Sequence, residues 1–140
     1  MAVTELDTLL LGRYHYSDIP ANFGKSVASN DLAASYDLRA INESLLGLVQ
    51  TTKGERLFQP TVGCNINKQL FENINPAAAF TIKYNIETTI QQYEPRVQIQ
   101  QVDVSPIYDQ NTYLVTVRYR LRTDVNKEYE FSSQLRQGLV

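Results

Sequence analysis

The 140-residue chain has one cysteine, one histidine and no tryptophan. One cysteine cannot close an internal disulfide, and one histidine cannot build the usual transition-metal cluster, so neither a metal nor another cofactor is expected. Positive charge is not in excess: 13 Lys and Arg face 15 Asp and Glu, a formal net charge of −2 with His15 neutral. Such a balance excludes a chain whose task is to neutralise a run of phosphates, so nucleic acid is not an expected partner. Apolar runs are short, Leu9-Leu10-Leu11 among them, and far from the roughly 20 residues a membrane-spanning helix needs. The opening Met1-Ala2-Val3-Thr4-Glu5 lacks the basic start of a signal peptide. The expectation is a soluble, non-secreted, single-domain protein. At this length about two thirds of the unfolded surface is buried on folding, enough for a core without covalent staples.

What is present divides along the chain. Residues 1–34 read as an extended or weakly ordered segment, with one turn at Leu6–Leu11 stopped by Gly12 and aromatics scattered through an irregular stretch that follows. Leu38, Ile41, Leu45 and Leu48 then fall at helical spacing, so a helix is expected over about 36–50, capped by Ser35 or Asp37. Gly47 inside it marks either a close backbone approach or a tolerated glycine. Residues 51–63 form a long loop, of a length that is often functional. A short helix is expected after it, capped by Asn65 or Asn67 and anchored by Leu70 and Phe71. Asn75-Pro76 is a strong helix start, and Ala79, Ile82, Ile86, Ile90 and Tyr93 step along one face until Pro95 ends the helix.

Behind Pro95 the period changes from 3.6 to 2. Val97 and Ile99 alternate in one phase and Val102 and Val104 in the other, which predicts a bulge at Gln100-Gln101. Pro106 and Asp109-Gln110-Asn111 are read as a connection. Tyr113, Val115, Val117, Tyr119 and Leu121 line one face of the next strand, and Asp124-Val125-Asn126 turns into a third strand with Tyr129 and Phe131. The fold class is therefore α+β: helices followed by a three-stranded antiparallel meander, with the helices on one sheet face. Residues 35–133 are assigned to this domain and 134–140 to a C-terminal tail.

Several residues invite a chemical reading. Glu94 of Glu94-Pro95-Arg96 sits at the negative end of a helix, where an acid costs roughly 0.3–1 kcal/mol. It calls for a cation, from Arg96, Arg56 or another chain, although a solvated glutamate at a frayed end also fits. Glu55 and Arg56 form a second acid–base pair on the long loop. Glu55 with Glu94 would be the two carboxylates of a peptidoglycan glycosidase, the rival to a non-enzymatic role; it requires them about 5–9.5 Å apart beside a sugar-sized groove. Arg118, Arg120 and Arg122 stripe one strand face and would suit an acidic protein segment, or simply a solvated sheet. Cys64 has no histidine nearby in sequence and reads as a small buried side chain.

The ordered motifs Asn42-Glu43-Ser44-Leu45-Leu46-Gly47, Thr51-Thr52-Lys53-Gly54-Glu55-Arg56, Pro60, Gly63-Cys64 and Gln69-Leu70-Phe71-Glu72-Asn73 resemble the baseplate wedge and sheath-initiator family of contractile-tailed phages, including its T-even members. Asn85-Ile86-Glu87, Tyr93-Glu94-Pro95-Arg96 and Pro106-Ile107-Tyr108-Asp109 continue the resemblance, which covers about residues 36–122. Related proteins occur in contractile injection systems and type VI secretion baseplates, and the family carries an old lysozyme label that is not evidence of catalysis. The resemblance implies a structural, non-enzymatic component of the virion tail baseplate, assembled in the host cytoplasm in several copies around a ring. Its implied partners are the wedge core-bundle proteins, the tail sheath protein, whose strands complete a shared sheet, and the tail tube or hub. Glu94, Pro95 and Arg96 match the family's Glu-Pro-Arg signature and are expected to make charge-assisted protein contacts, with Glu55, Arg56, Arg118 and Arg120 as further protein-binding candidates. Val62 departs from the pattern, since many relatives carry an aromatic before the glycine.

Overall fold

The computed structural model describes residues 15–20, 22–25 and 34–136; the turn expected at Leu6–Leu11 and the last four residues lie outside them. Two compact units, Met1–Ser44 and Leu45–Val140, divide the chain. In the first unit β1 (Ser17–Asp18) pairs antiparallel with β2 (Ser35–Tyr36). Helix α1 (Asp37–Gln50) begins here and continues into the second unit. Neither expected cap caps it. Asp37 has φ 45°, and its Oδ1 accepts the backbone N–H groups of His15 and Tyr16 at 2.9 and 3.1 Å. Ser35 Oγ is buried and has no hydrogen-bond partner among the described residues. The side chain best placed to cap the helix instead ties down chain from some twenty residues upstream.

In the second unit the C-terminal half of α1 buries Leu45, Leu48 and Val49. A Cβ built on Gly47 meets nothing within 4 Å, so this glycine is tolerated and marks no close approach. Helix α2 (Asn67–Phe71) is only 5 residues long and has no side-chain cap. It buries Leu70, whereas Phe71, expected as a second anchor, is exposed; adjacent helical residues point about 100° apart, and a single turn can turn only one inward. Helix α3 (Pro76–Tyr93) starts as expected: Asn75 Oδ1 accepts Ala78 N–H at 2.7 Å, with Pro76 in the first helical position. Ala79, Ile82, Ile86 and Ile90 are its buried stripe, and the helix packs against the sheet through β3.

The sheet is β3 (Val97–Ile107), β4 (Thr112–Leu121) and β5 (Asp124–Arg136), antiparallel in the order β3-β4-β5. The β3–β4 register slips between Ile99 and Gln101, leaving Gln100 as the extra residue that keeps Val97, Ile99, Val102 and Val104 on one face. Tyr113, Val115, Val117 and Tyr119 face the core completely buried. Two boundaries differ from expectation. Pro106 lies inside β3, not in the connection, which an edge strand allows because the missing N–H removes no ladder bond. Residues 124–126 begin β5 and do not form the turn; β5 runs on to Arg136 and buries Leu135.

Candidate functional site

The sharpest local chemistry stands where α3 hands over to β3. Glu94 closes the helix, its N–H donating to Ile90 O at 2.9 Å. Pro95, with φ fixed near −65° and no N–H, turns the chain. Arg96 then reaches back: its Nε donates to Glu94 Oε1 and its Nη2 to Oε2, each at 2.6 Å. This bidentate fork is short and strong because both partners are charged. Glu94 is only 2% exposed, while the Arg96 side chain keeps 24%. The acid misplaced at the helix's negative end is thus answered from within the same tripeptide. The corner is tied into the sheet as well, since Arg122 N–H donates to Arg96 O at 3.1 Å. The phenol of Tyr119 is pushed up to about 12, chiefly by burial, with Tyr129 and the Glu94 charge adding to it.

The loop that carries Glu55 and Arg56 is held to the second unit by its own backbone. Cys64 N–H donates to Thr51 O at 2.8 Å and Gly54 N–H to Pro60 O at 2.8 Å, a turn inside a larger loop. Gly63, at φ 123°, has no room for a side chain, because a Cβ there would lie 2.4 Å from Thr51 O. Tyr93 O–H donates to Thr61 O at 2.8 Å, and Asn85 Nδ2 to Asn65 O at 3.1 Å, so α3 braces the loop's return limb. Glu55 Oε2 accepts Thr52 N–H at 2.8 Å, a local turn contact, and Arg56 is exposed. Cys64 is buried, and burial pushes its thiol up to about 11 despite a hydrogen bond with Thr89 and the charge of Lys53. Such a thiol is inert.

Within the arginine stripe Arg118 is ion-paired, while Arg120 Nε is buried with no hydrogen-bond partner among the described residues and Arg122 is exposed. Arg118 Nε lies 3.4 Å from Glu130 Oε2 across the β4–β5 ladder, and Arg120 stands opposite Glu128. A glycosidase acid must offer a proton to a sugar oxygen in an open groove, but both Glu94 oxygens are taken by Arg96. A depression lined by Val49, Ile66, Leu70 and Leu135 and another lined by Asp109, Thr112 and Arg136 include neither Glu55 nor Glu94. Among the described residues no group of three His, Cys, Asp or Glu side chains is placed to hold a metal ion, and no helix is long and apolar enough to cross a membrane.

The family model described as baseplate wedge protein gp25 matches residues 35–126. A relative, baseplate wedge protein gp25 of Enterobacteria phage T4, is 43% identical over 104 residues, spanning 74% of this chain and 78% of the T4 protein. The chain belongs to the gp25 baseplate wedge family. The matched segment contains both the Glu94-Pro95-Arg96 corner and the Glu55-Arg56 loop. Among solved structures, a Geobacter sulfurreducens protein given the name tail lysozyme superposes with a TM-score of 0.64 at 26% identity, over 71% of this chain and 89% of its own. A chain in the baseplate of the anti-feeding prophage superposes with a TM-score of 0.61 at 18% identity, over 94% of this chain and 92% of its own. At that identity the second likeness speaks for the fold alone.

Sequence reasoning passed over Leu57 and Phe58. They are 91% and 96% exposed at the tip of the loop; two large apolar residues between Arg56 and Pro60, in a stretch with no periodicity to bury them, were the available signal.

Proposed function

We propose that this chain is a non-enzymatic structural component of a contractile-tail baseplate wedge, and that it nucleates the tail sheath by lending it a sheet edge. The observation that carries this reading is the outer edge of β5: a 13-residue strand at the end of a three-stranded sheet, with no further strand beside it among the described residues. Main-chain groups along such an edge accept an added strand, and alternate side-chain positions fix its register. The opposite edge is less suitable, because β3 carries the Gln100 bulge and Pro106, two devices that protect an edge from pairing. Each added main-chain bond nets only about 1 kcal/mol, so firm attachment comes from repetition around a ring.

In the same reading the Glu94-Pro95-Arg96 corner meets the wedge core proteins, presenting a guanidinium whose orientation the buried carboxylate has already set. The T4 relative's name, a baseplate wedge protein, supports the assembly role. Hydrogen exchange tests the edge. On addition of the sheath protein, backbone amides of residues 127–136 should slow at alternate positions while those of β3 stay unchanged. Sheath that polymerises normally with no new protection in β5 would refute the proposal.

A further inference from the structure

The 51–64 loop shows an unusual combination of rigidity and exposure. Its backbone is closed twice by hydrogen bonds, at Cys64–Thr51 and Gly54–Pro60, and α3 braces it through Tyr93 and Asn85. The same loop that sinks Val62 and Cys64 into the core holds out two side chains that contact almost nothing of the described protein: Leu57 at 91% and Phe58 at 96% exposure, the highest among its exposed large apolar residues. Two adjacent large apolar side chains held this far out of the core form a patch of the kind that marks interaction sites. The charges beside them are net positive, two exposed cations against the one exposed carboxylate of Glu55. Glu55 turns its carboxylate onto Thr52 N–H, whereas Lys53 and Arg56 are exposed and in no ion pair among the described residues.

We infer that the Leu57–Phe58 tip is a preformed docking knob, built to enter an apolar cleft bordered by carboxylates on another protein of the same assembly. A rigid aromatic anchor loses little conformational freedom on docking, and buried aromatics dominate interface energetics. The flanking Lys53 and Arg56 select an acidic rim and repel a basic one. A second copy of this chain is a poor receptor: the depression at Val49, Ile66, Leu70 and Leu135 is lined equally by polar residues and bordered by Arg136, cation against cation. An anionic membrane is disfavoured by the chain's net charge of −2.

The choice of candidate receptors rests on the baseplate reading above, and the experiment separates the two. The full chain is titrated against the other purified wedge proteins of its particle, with binding followed by anisotropy. Phe58→Ser should weaken the complex at least roughly thirty-fold with its thermal midpoint unchanged, since exposed positions away from caps and networks are nearly neutral to stability. Arg56→Ala should weaken it a few-fold at low salt and less at high salt. Phe58→p-benzoylphenylalanine should cross-link to an aliphatic residue with Asp or Glu close by. Tight binding by wild type that Phe58→Ser leaves within twofold overturns the knob but not the baseplate role; no binding to any wedge protein overturns both. A large drop in thermal midpoint for Phe58→Ser, a dimer lost in that variant, or co-sedimentation with phosphatidylglycerol vesicles would each assign the tip elsewhere and overturn the inference.

Discussion

Across one proline, Arg96 closes its guanidinium onto both carboxylate oxygens of Glu94, at 2.6 Å each, with the glutamate 2% exposed and the arginine 24%. The pair spans the point where the chain passes from helix to strand. It also makes the corner bifunctional: the carboxylate is structural, and only the arginine has a face left toward solvent.

Breaking this fork from one side takes the bidentate partner from a largely buried charge. Glu94→Gln or Arg96→Ala should each lower unfolding free energy by about 3–5 kcal/mol, while a paired replacement with apolar residues of similar volume recovers much of the loss. Urea unfolding of both singles and the double measures the coupling; two singles with unshifted midpoints would show the fork to be incidental.

Gly47 and Gly63 should respond in opposite directions to alanine. Nothing lies within 4 Å of a Cβ at Gly47, so Gly47→Ala should gain about 0.5–1 kcal/mol from helix propensity and a less flexible unfolded chain. At Gly63 the φ of 123° and the 2.4 Å approach to Thr51 O leave no space, and Gly63→Ala should lose about 1–3 kcal/mol or more. Thermal melts of the two variants, moving up and down respectively, decide the matter.

Tyr113 is wholly buried, yet its hydroxyl has no hydrogen-bond partner among the described residues. An unsatisfied buried polar atom costs about 1–3 kcal/mol. Tyr113→Phe should hold or raise the denaturation midpoint; a clear loss of stability would mean that the hydroxyl has a partner.

Alkaline pH should weaken the fold through Cys64. Its thiol is raised from 9.0 to about 11 in the folded chain, so the folded state prefers the protonated form. The contribution is fully present below about pH 9 and is lost as the pH rises toward about 11, on the order of 3 kcal/mol in total. Stability measured across that window should fall, and Cys64→Ala should flatten the decline, leaving the part due to Tyr119, raised to about 12 by burial. A decline unchanged in Cys64→Ala would place its origin in other groups.

Local signals carried much of the architecture. Asn75-Pro76 and Pro95 bracket α3 because capping and proline geometry act within a few residues of chain, and the phase change at Gln100 announces the bulge because side chains alternate strictly along a strand. Where several residues competed for one role, sequence was a poorer guide. Asp37 had the chemistry of a cap but was drawn to the backbone of His15 and Tyr16. Phe71 matched Leu70 in hydrophobicity, and a helix of 5 residues buried only one of them.

By itself, then, the sequence determined the order of the main helices and of the three-stranded sheet, the lack of an internal disulfide, and the family motifs, all of which depend on residue type and spacing. Only tertiary structure decided that Glu94 is buried, that Arg118 is matched by Glu130 across the sheet, and that Leu57 and Phe58 stand in solvent. Partner choice, burial and exposure depend on which distant segments arrive beside a residue, and spacing along the chain carries no record of that arrival.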